Sequence, residues 1–499
     1  MRSSYVTEPV HALSTIVNEG IFFVKRSGYD EFPERLGSVR LSTVVFFWWF
    51  MSVAKFKDWF AKHNIDEIEC LVPDPAGSAR GKILPARKFL KGIGSTSMRL
   101  PEDIFILTVT GKFSWQDSPV SDASGDIYLV PDFNALKLVP WHANPTAQVI
   151  CDCFYLNGDP VDISPRYVLQ RVLQLYAEQG WKPVVAPELE FYLVKKNLDA
   201  DYPLEAPVGT SGRAEKIGQA YSIDAANEFD PIVEDIYAFC EAQEIDIDTI
   251  SHESGPAQLE INFNHGDPLD LADQVFLFKR TVRQAALKHD VYATFMAKPH
   301  QDEPGSSMHL HQSLLDMKTG NNLFQGRGKN PSQLFLAHVA GLQRYLPAAM
   351  GFCAPNVNSY RRLVPNSDAP TNTHWGIDNR TAPLRMPNSD PANTRIENRV
   401  PGADANPYLC IAASLACGYL GMMKKLEPTA PIEGSAYRYA HSLPINLDDA
   451  MSKLNYSKSL KNVLGQRFVE AFMAVKEEEQ IQYRKVISSW EREFLLLNV

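Results

Sequence analysis

Two glutamates, spaced two positions apart in an apolar stretch, are residues whose type and spacing could do chemistry. The stretch VVAPELEFYLV (184–194) has the β-branched and aromatic residues of a strand, and it carries Glu188 and Glu190. Side chains at positions i and i+2 of a strand point to the same face, about 7 Å apart. Two like charges on one face of an apolar strand are costly unless a partner or a cation compensates them.

Three further segments place acidic or imidazole side chains in apolar, strand-like runs. They are HESGPAQLEINF (252–263) with Glu253 and Glu260, GSSMHLHQSL (305–314) with His309 and His311, and TRIENRV (394–400) with Glu397. Five carboxylates and an imidazole form the oxygen-rich ligand set that Mg²⁺ or Mn²⁺ prefers. Any single pair could instead face solvent, but the four segments together predict a divalent-metal site.

A run of arginines follows in a loop-rich part of the chain. The six are Arg361, Arg362, Arg380, Arg385, Arg395 and Arg399. The guanidinium fork suits carboxylates and phosphates, although salt bridges to the excess acids are the simpler interpretation for Arg361 alone. Divalent ions and cationic side chains together predict phosphoryl transfer. No GxxxxGK[ST] loop or kinase motif is present, so a nucleotide site would have to be of another kind.

The composition restricts the class of protein. The chain has 499 residues, 45% hydrophobic and 22% charged, which is typical of a globular protein with two or more domains. Its net charge of −10 argues against binding nucleic acid. Its seven cysteines are odd in number, irregularly spaced and without a CxxC pair, which predicts free thiols in a reducing compartment, the cytoplasm.

The first fifty residues differ from the rest of the chain. LSTVVFFWWFMSVA (41–54) is an apolar run, but it is shorter than the about 20 residues that a membrane-spanning helix needs, so no membrane partner is expected. Met51 opens an amphipathic helix that is followed by a strand. We interpret residues 1–50 either as an over-extended reading frame, with Met51 as the natural start, or as a loosely attached tail.

The remaining residues divide into two regions. Residues 51–155 read as short strands and turns around one helix, and the boundary precedes the helix SPRYVLQRVLQLYAEQG (164–180). Residues 156–499 alternate helices with the acid-bearing strands, which predicts an α+β fold. The further predicted helices span 227–244, 270–290, 331–349 and 406–424.

These segments together closely resemble the glutamine synthetase family. The matching segments run in order from about residue 52 to the C-terminus. Besides the acid-bearing segments, they are RGKILP (80–85), YLVPD (128–132), NSYRRL (358–363), NRTAPLR (379–385) and ANPYLCIAASLACGYLGM (405–422). Agreement of many motifs in one order is far more specific than any single motif.

The resemblance implies a fold and an activity. Members have a small N-terminal β-grasp domain, here 51–155, and a large catalytic domain, here 156–499, with an antiparallel sheet flanked by helices. They use ATP and two divalent ions to join an amine to the γ-carboxylate of glutamate through γ-glutamyl phosphate. They are homo-oligomers, typically dodecamers of two stacked rings, with active sites between neighbouring subunits.

The resemblance also assigns roles to residues. The ligands implied for one metal are Glu190, Glu253 and Glu260, and those for the other are Glu188, His309 and Glu397. The glutamate-binding residues are Arg362, Arg399 and Gly305. The catalytic phosphate clamps are Arg380 and Arg385, which also contact ATP together with His311, Ser313 and Arg395.

Departures from the family pattern fall at the nitrogen-donor end. Thr110, in LTVTGKF (107–113), stands where ammonia-using members carry a carboxylate for ammonium. Asp368, in LVPNSDAP, stands where they carry the glutamate of a mobile loop that takes a proton from the amine. Pro304-Gly305 replaces the usual Asn-Gly. We therefore expect Asp368 to be the catalytic base and Thr110 to lie in the amine pocket.

These departures favour an amine larger than ammonium. The segments PGSSMHLHQS and PNSDAPTN resemble those of the γ-glutamylpolyamine synthetases, which act on putrescine, spermidine and related amines. A γ-glutamyl-ethanolamine or other monoamine synthetase is the near alternative, and a true glutamine synthetase is another. A non-enzymatic structural member of the family is the distant alternative, because every implied metal ligand and both phosphate clamps are present.

Overall fold

Two β-sheets carry the architecture of the chain. The computed structural model describes residues 53–328, 330–365 and 367–499. The segment interpreted as a tail, 1–50, and the alternative start at Met51 lie outside the described residues. A helix over 53–63 (α1) leads into the first sheet.

The first sheet has five strands. They are β1 (Glu67–Pro73), β2 (Ala79–Pro85), β3 (Arg99–Pro101), β4 (Asp126–Leu138) and β5 (Thr146–Phe154). Their order is β2-β1-β5-β4-β3, with β1 and β5 parallel and the other neighbours antiparallel. A short helix, α2 (Ala86–Gly92), packs Phe89 against Phe56 and Phe60 of α1. The sheet lies inside 51–155, and the assignment of that region to a separate β-grasp domain stays a prediction.

Ten helices follow along the rest of the described chain. They are α3 (Pro165–Ala177), α4 (Ile223–Asn227), α5 (Asp230–Ala242), α6 (Pro268–Lys288), α7 (Gln333–Cys353), α8 (Pro407–Met423), α9 (Leu447–Tyr456), α10 (Lys458–Leu464), α11 (Gln466–Tyr483) and α12 (Ser489–Leu495). All five helices predicted within 156–499 are present, as α3 and α5 to α8. The prediction for 227–244 began too early because Pro231, at the first turn of α5, fixes a new start after α4.

The second sheet has eight strands. They are β6 (Trp181–Lys195), β7 (Ile247–His252), β8 (Gln258–Phe263), β9 (Val291–Thr294), β10 (Met308–Asp316), β11 (Trp375–Ile377), β12 (Leu384–Met386) and β13 (Ile396–Asn398). The order is β11-β12-β13-β10-β6-β8-β7, and β9 also pairs with β6. The expected antiparallel pairing holds except between β11 and β12, which are parallel because the chain between them loops back to begin β12 beside the start of β11.

Helices α7 and α8 pack closely behind this sheet. Glycines allow their backbones to touch, since a Cβ at Gly421 would lie 2.1 Å from the Ala337 carbonyl oxygen and one at Gly341 would lie 2.2 Å from that of Cys417. All seven cysteines are free and buried. No helix in the described part of the chain is long and apolar enough to cross a membrane.

A buried arginine ties the first sheet to helices α3 and α6. Arg166 of α3 contacts Asp132 of β4 and Asp152 of β5, each at 2.6 Å, and Asp273 of α6 at 2.8 Å. Tyr408 of α8 donates a further hydrogen bond to Asp273 at 2.6 Å. The described residues belong to one compact unit, Ser52–Val499, and a division at 155 stays a prediction.

Candidate active site

The register of β6 sets the positions of the acidic residues. Glu188 lies opposite His309 of β10 on one side and Asn262 of β8 on the other, while Glu190 lies opposite Glu260. Because side chains alternate along a strand, the two glutamates share one face. The pairing therefore brings three of the four acid-bearing segments onto neighbouring strands, and β13 adds the fourth beside β10.

Glu188, His309 and Glu397 form the first cluster of donor atoms. One donor atom from each lies within 4.8 Å of the other two. The His309 Nδ1 atom is 3.3 Å from Glu188 and 3.8 Å from Glu397. Burial alone would raise the pKa of Glu188, but hydrogen bonds with His309 and His311 outweigh it and hold that pKa well below its usual value. This carboxylate is therefore kept ionised, as a metal ligand must be.

Glu190 and Glu260 form a second cluster with the same histidine. Burial, reinforced by Glu253, raises the pKa of Glu190 to about 7, although Ser307 donates two hydrogen bonds to it at 2.5 and 2.8 Å. Burial and the neighbouring Glu190 raise the pKa of Glu260 to about 9. Like charges that are buried together without a cation favour protonation, so this cluster has the character of a cation site.

Glu253 stands outside both clusters. It lies in the loop between β7 and β8, and burial raises its pKa. Its charge acts on Glu190 and Glu188, and Arg380 acts on it in the opposite direction. Its assignment to the same metal as Glu190 and Glu260 stays a prediction.

Arginines surround the Glu397 carboxylate. Arg385 and Arg399 contact its two oxygen atoms at 2.8 and 2.5 Å, and Arg385 also pairs with Asp378 at 2.7 Å. Burial would raise the pKa of Glu397, but His309 and Arg399 outweigh that effect and lower it. The Arg385 contact thus places a predicted phosphate clamp directly beside a predicted metal ligand.

The predicted glutamate-binding residues meet at the N-terminal end of β10. Arg362 is 3% exposed, donates to the Val400 carbonyl oxygen, and leaves its buried Nε without a partner. A Cβ at Gly305 would lie 2.4 Å from Cγ of Arg362, so only glycine fits beside this arginine. A buried guanidinium with an unused donor is a natural site for a carboxylate.

A cavity of about 460 Å³ opens beside the first cluster. Glu188, His311, Ser313 and Arg395 line it, so the structure brings the predicted nucleotide residues to one cavity that reaches a predicted metal ligand. Arg395 donates to His311 Nδ1 at 3.3 Å, which leaves the other ring nitrogen of His311 to donate to Glu188 at 2.8 Å. Arg380 lies apart from them, in a second cavity of about 730 Å³ lined by 377–381 and 431–435.

The two residues predicted for the amine end lie in different places. Asp368 lies in a loop with φ of +55°, a backbone conformation that Asp and Asn tolerate. Tyr437 is electrostatically coupled to Asp368, Arg399 and Arg362, and its hydroxyl donates to the Ala369 carbonyl oxygen at 3.3 Å. Thr110 instead bonds Thr108 and Gln482, at 2.9 and 2.6 Å, and neither is a predicted site residue.

The donor groups fit divalent metal ions. Each cluster offers carboxylate oxygens and one imidazole nitrogen, and burial together with the neighbouring carboxylates raises the pKa values of Glu190 and Glu260. Hard divalent cations prefer this oxygen-rich set. The residues that the structure describes can therefore hold divalent ions beside a nucleotide-sized cavity and an arginine that could bind a carboxylate.

Residues 162–495 match the family described as glutamine synthetase, catalytic domain. The chain belongs to the glutamine synthetase family. A glutamate–isopropylamine ligase from Pseudomonas sp is 35% identical over 456 residues, covering 88% of this chain and 96% of that protein. The γ-glutamylputrescine synthetase PuuA of Escherichia coli K12 is 36% identical over 448 residues, covering 87% and 92%. A glutamine synthetase of Methanocaldococcus jannaschii is 30% identical, covering 88% and 97%.

Solved structures agree with this assignment. Ligand-free GmaS has a TM-score of 0.75 at 28% identity, covering 88% of this chain and 98% of GmaS. Its ADP complex has a TM-score of 0.76 at 27% identity, covering 87% and 98%. The chain therefore has the mixed α/β fold of the glutamine synthetase family and is an ATP-dependent carbon–nitrogen ligase. The family depends on divalent metal ions, and the two clusters supply fitting donors.

Several residues that shape the site were not anticipated. Ser307 and Gln258 hold Glu190, and both stand inside the quoted motifs, where their burial could not be read from spacing. Asp378 holds Arg385 from the loop after β11. Glu215, which contacts the loop carrying Glu253, lies in a long connection with no recognisable motif.

Proposed function

We propose that this protein joins the γ-carboxylate of glutamate to a primary amine at the expense of ATP, with a polyamine such as putrescine or spermidine as the preferred amine. The observation that carries the proposal is the grouping of two acid clusters on β6, β8, β10 and β13 with Arg385 and a nucleotide-sized cavity. This grouping suits phosphoryl transfer to a carboxylate.

In the first step, the γ-carboxylate of glutamate attacks the γ-phosphorus of ATP. The bond to the bridging oxygen of ADP breaks, and γ-glutamyl phosphate and ADP form. Divalent ions bound at the two clusters would supply Lewis acidity toward the phosphate oxygens. Arg385, oriented by Asp378 and Glu397, and Arg380 stabilise the charge on the transferring group.

Glutamate is held at its carboxylates by Arg362 and Arg399. Arg362 is fixed by its bond to Val400 and presents an unused Nε, and Gly305 leaves room beside it. Arg399 is held by Glu397, which keeps glutamate next to the phosphoryl-transfer residues. Positioning of this kind accelerates the reaction because the reacting groups are held close together in the right orientation.

In the second step, the amine attacks the acyl phosphate. Asp368 accepts one proton from the ammonium form of the amine, the nitrogen bonds to the γ-carbon as the bond from that carbon to the phosphate oxygen breaks, and the second proton of the nitrogen leaves with inorganic phosphate. General-base assistance of this type raises the reaction rate roughly 10²–10⁴-fold. Tyr437 lies near this loop, because it interacts electrostatically with Asp368 and its hydroxyl donates to the Ala369 carbonyl oxygen.

The preference for an amine over ammonium is supported by two lines of argument. The changed residues Thr110 and Asp368 stand at positions that are predicted for the nitrogen-donor end. Two relatives that are 35% and 36% identical act, by their names, on isopropylamine and putrescine. The glutamine synthetase of Methanocaldococcus jannaschii, 30% identical over a similar span, keeps ammonium as the second candidate.

Replacement of the clustered acids tests the phosphoryl-transfer chemistry. Glu188→Ala and Glu260→Ala should each abolish glutamate- and amine-dependent ADP release and weaken binding of Mn²⁺. Glu205→Ala, at a glutamate whose side chain is 68% exposed, is the matched control and should retain wild-type turnover. Near-normal ADP release by either cluster variant would remove the clusters from the mechanism.

A further inference from the structure

A strap of chain crosses the loop that carries Glu253. The strap is the segment 215–221, in the long connection between β6 and α4, and the loop is 252–258, from the last residue of β7 to the first residue of β8. The two touch at three points, through Glu215, Gly218 and Tyr221. A Cβ at Gly218 would lie 2.1 Å from the Ser254 carbonyl oxygen, and the Tyr221 amide donates to the His252 carbonyl oxygen at 2.9 Å.

Glu215 makes the most specific of these contacts. Its Oε2 atom accepts a hydrogen bond from the Ala257 amide at 2.7 Å and lies 3.0 Å from Nε2 of His252. The other ring nitrogen of His252 donates to the Glu253 carbonyl oxygen at 2.8 Å. The Glu215 side chain is 16% exposed and that of His252 is fully buried, so solvent weakens these bonds little.

The loop 252–258 contains a residue in an unfavourable backbone conformation. Ala257 has φ of +57°, a left-handed conformation that costs a residue other than glycine about 1 kcal/mol or more. Its amide is held by Glu215, and its carbonyl oxygen accepts from Leu193 of β6 at 2.9 Å. Ala257 lies between Glu253 and Glu260, so its conformation sets how the loop leads from one to the other.

We propose that Glu215 is a positioning residue for divalent-metal binding: through His252 and Ala257, its carboxylate fixes the backbone that carries Glu253 and leads into Glu260. Residues that orient metal ligands through hydrogen bonds typically change metal affinity 10–100-fold when they are replaced. This inference rests on the proposed function, because it requires that the acid clusters bind divalent ions.

The experiment titrates Mn²⁺ alone into the full-length, substrate-free protein and measures its dissociation constant. Glu215→Ala should raise that constant roughly 10–100-fold. Glu215→Gln should raise it less, since an amide oxygen can still accept from the Ala257 amide. Glu228→Ala is the matched control, because Glu228 accepts from the Ser211 amide at 3.0 Å in the same connection without touching the loop. This control should bind Mn²⁺ like the wild type.

Melting of the metal-free variants separates positioning from a general structural role. A merely structural Glu215 would lower the melting temperature and leave the Mn²⁺ dissociation constant of the folded variant unchanged, which would overturn the proposal. If Glu215→Ala does not fold, the Mn²⁺ dissociation constant and melting temperature of Glu215→Gln are compared with those of Glu228→Ala instead. Absence of Mn²⁺ binding in the wild type would instead refute the proposed metal clusters, and this inference with them.

Discussion

At Glu190 and Glu260, burial opposes the charge that a metal site needs. Their raised pKa values, to about 7 and about 9, follow from burial together with the nearby carboxylates. Glu188 and Glu397 have their pKa values lowered by histidine and arginine neighbours. The site thus combines two carboxylates that stay ionised with two that a bound divalent cation would keep ionised.

These pKa values predict how pH acts on stability. Between 4.5 and the raised values, the folded metal-free protein binds protons at Glu190 and Glu260 that the unfolded chain has released. The melting temperature of the metal-free protein should therefore fall, by roughly several degrees, as pH rises from 5 to 9. Saturating Mg²⁺ binds the deprotonated acids and should remove most of this fall.

Thermal melts at several pH values, with and without Mg²⁺, measure the effect. Glu260→Gln removes the group whose pKa is raised further and should flatten the pH dependence of the metal-free protein. Equal declines in melting temperature with and without Mg²⁺ would contradict the account of the two acids.

Asp368 is predicted to serve the amine step and not the phosphoryl step. Asp368→Asn removes the base but keeps a residue that tolerates the φ of +55°. Amide formation should fall roughly 10²–10⁴-fold, whereas γ-glutamyl phosphate formation should fall much less. Amide product measured by mass spectrometry, against single-turnover ADP formation without amine, separates the two. An equal loss in both would remove Asp368 from the base role.

Residue types and spacing were enough to find the acids, and the structure groups five of the six predicted metal ligands. Glu188, Glu190, Glu260, His309 and Glu397 lie in strands, where the period of two fixes the direction of each side chain. Glu253 lies in a loop, whose path depends on contacts such as that with Glu215. A supporting residue on a distant connection leaves no pattern in sequence, since its partner is set only by folding.

At the scale of elements, strand register determines whether the site exists. Sliding β10 by one residue against β6 would turn His309 away from Glu188, because a one-residue slip moves every side chain to the other face. Helices were predictable from their apolar period and their caps, such as Ser164 before Pro165. The parallel pairing of β11 with β12 could not be predicted, because each strand has only three residues and their pairing depends on the path of the intervening loop.

Arg166 is predicted to stabilise the junction between the first sheet and helix α6. Arg166→Met leaves Asp132, Asp152 and Asp273 close together without their cation and should cost about 3–5 kcal/mol in the free energy of unfolding. Urea unfolding measures this cost. The control is Arg484→Met, whose partner Asp448 is as exposed as the arginine itself, and it should cost less than about 1 kcal/mol. Equal effects of the two substitutions would contradict the role of Arg166.

At the scale of the whole molecule, we predict a homo-oligomer with shared active sites. Thr110, predicted for the amine pocket, bonds Gln482 in its own chain and not another predicted site residue. The C-terminal residues Trp490 and Phe494 are 60% and 50% exposed, and exposed apolar groups of this kind favour contact with another surface. Mass photometry should give a mass twelve times that of the chain. A fully active monomer would contradict this prediction.

The central claim is that an organic amine, not ammonium, is the nitrogen donor. Its most direct test is the kcat/KM for glutamate-dependent ADP release, measured in parallel with ammonium, ethanolamine, putrescine, cadaverine, spermidine and spermine, with each product identified by mass. We expect a polyamine to exceed ammonium by at least about tenfold, a difference of about 1.4 kcal/mol in transition-state stabilisation. A kcat/KM for ammonium equal to or above that of every amine would contradict the account.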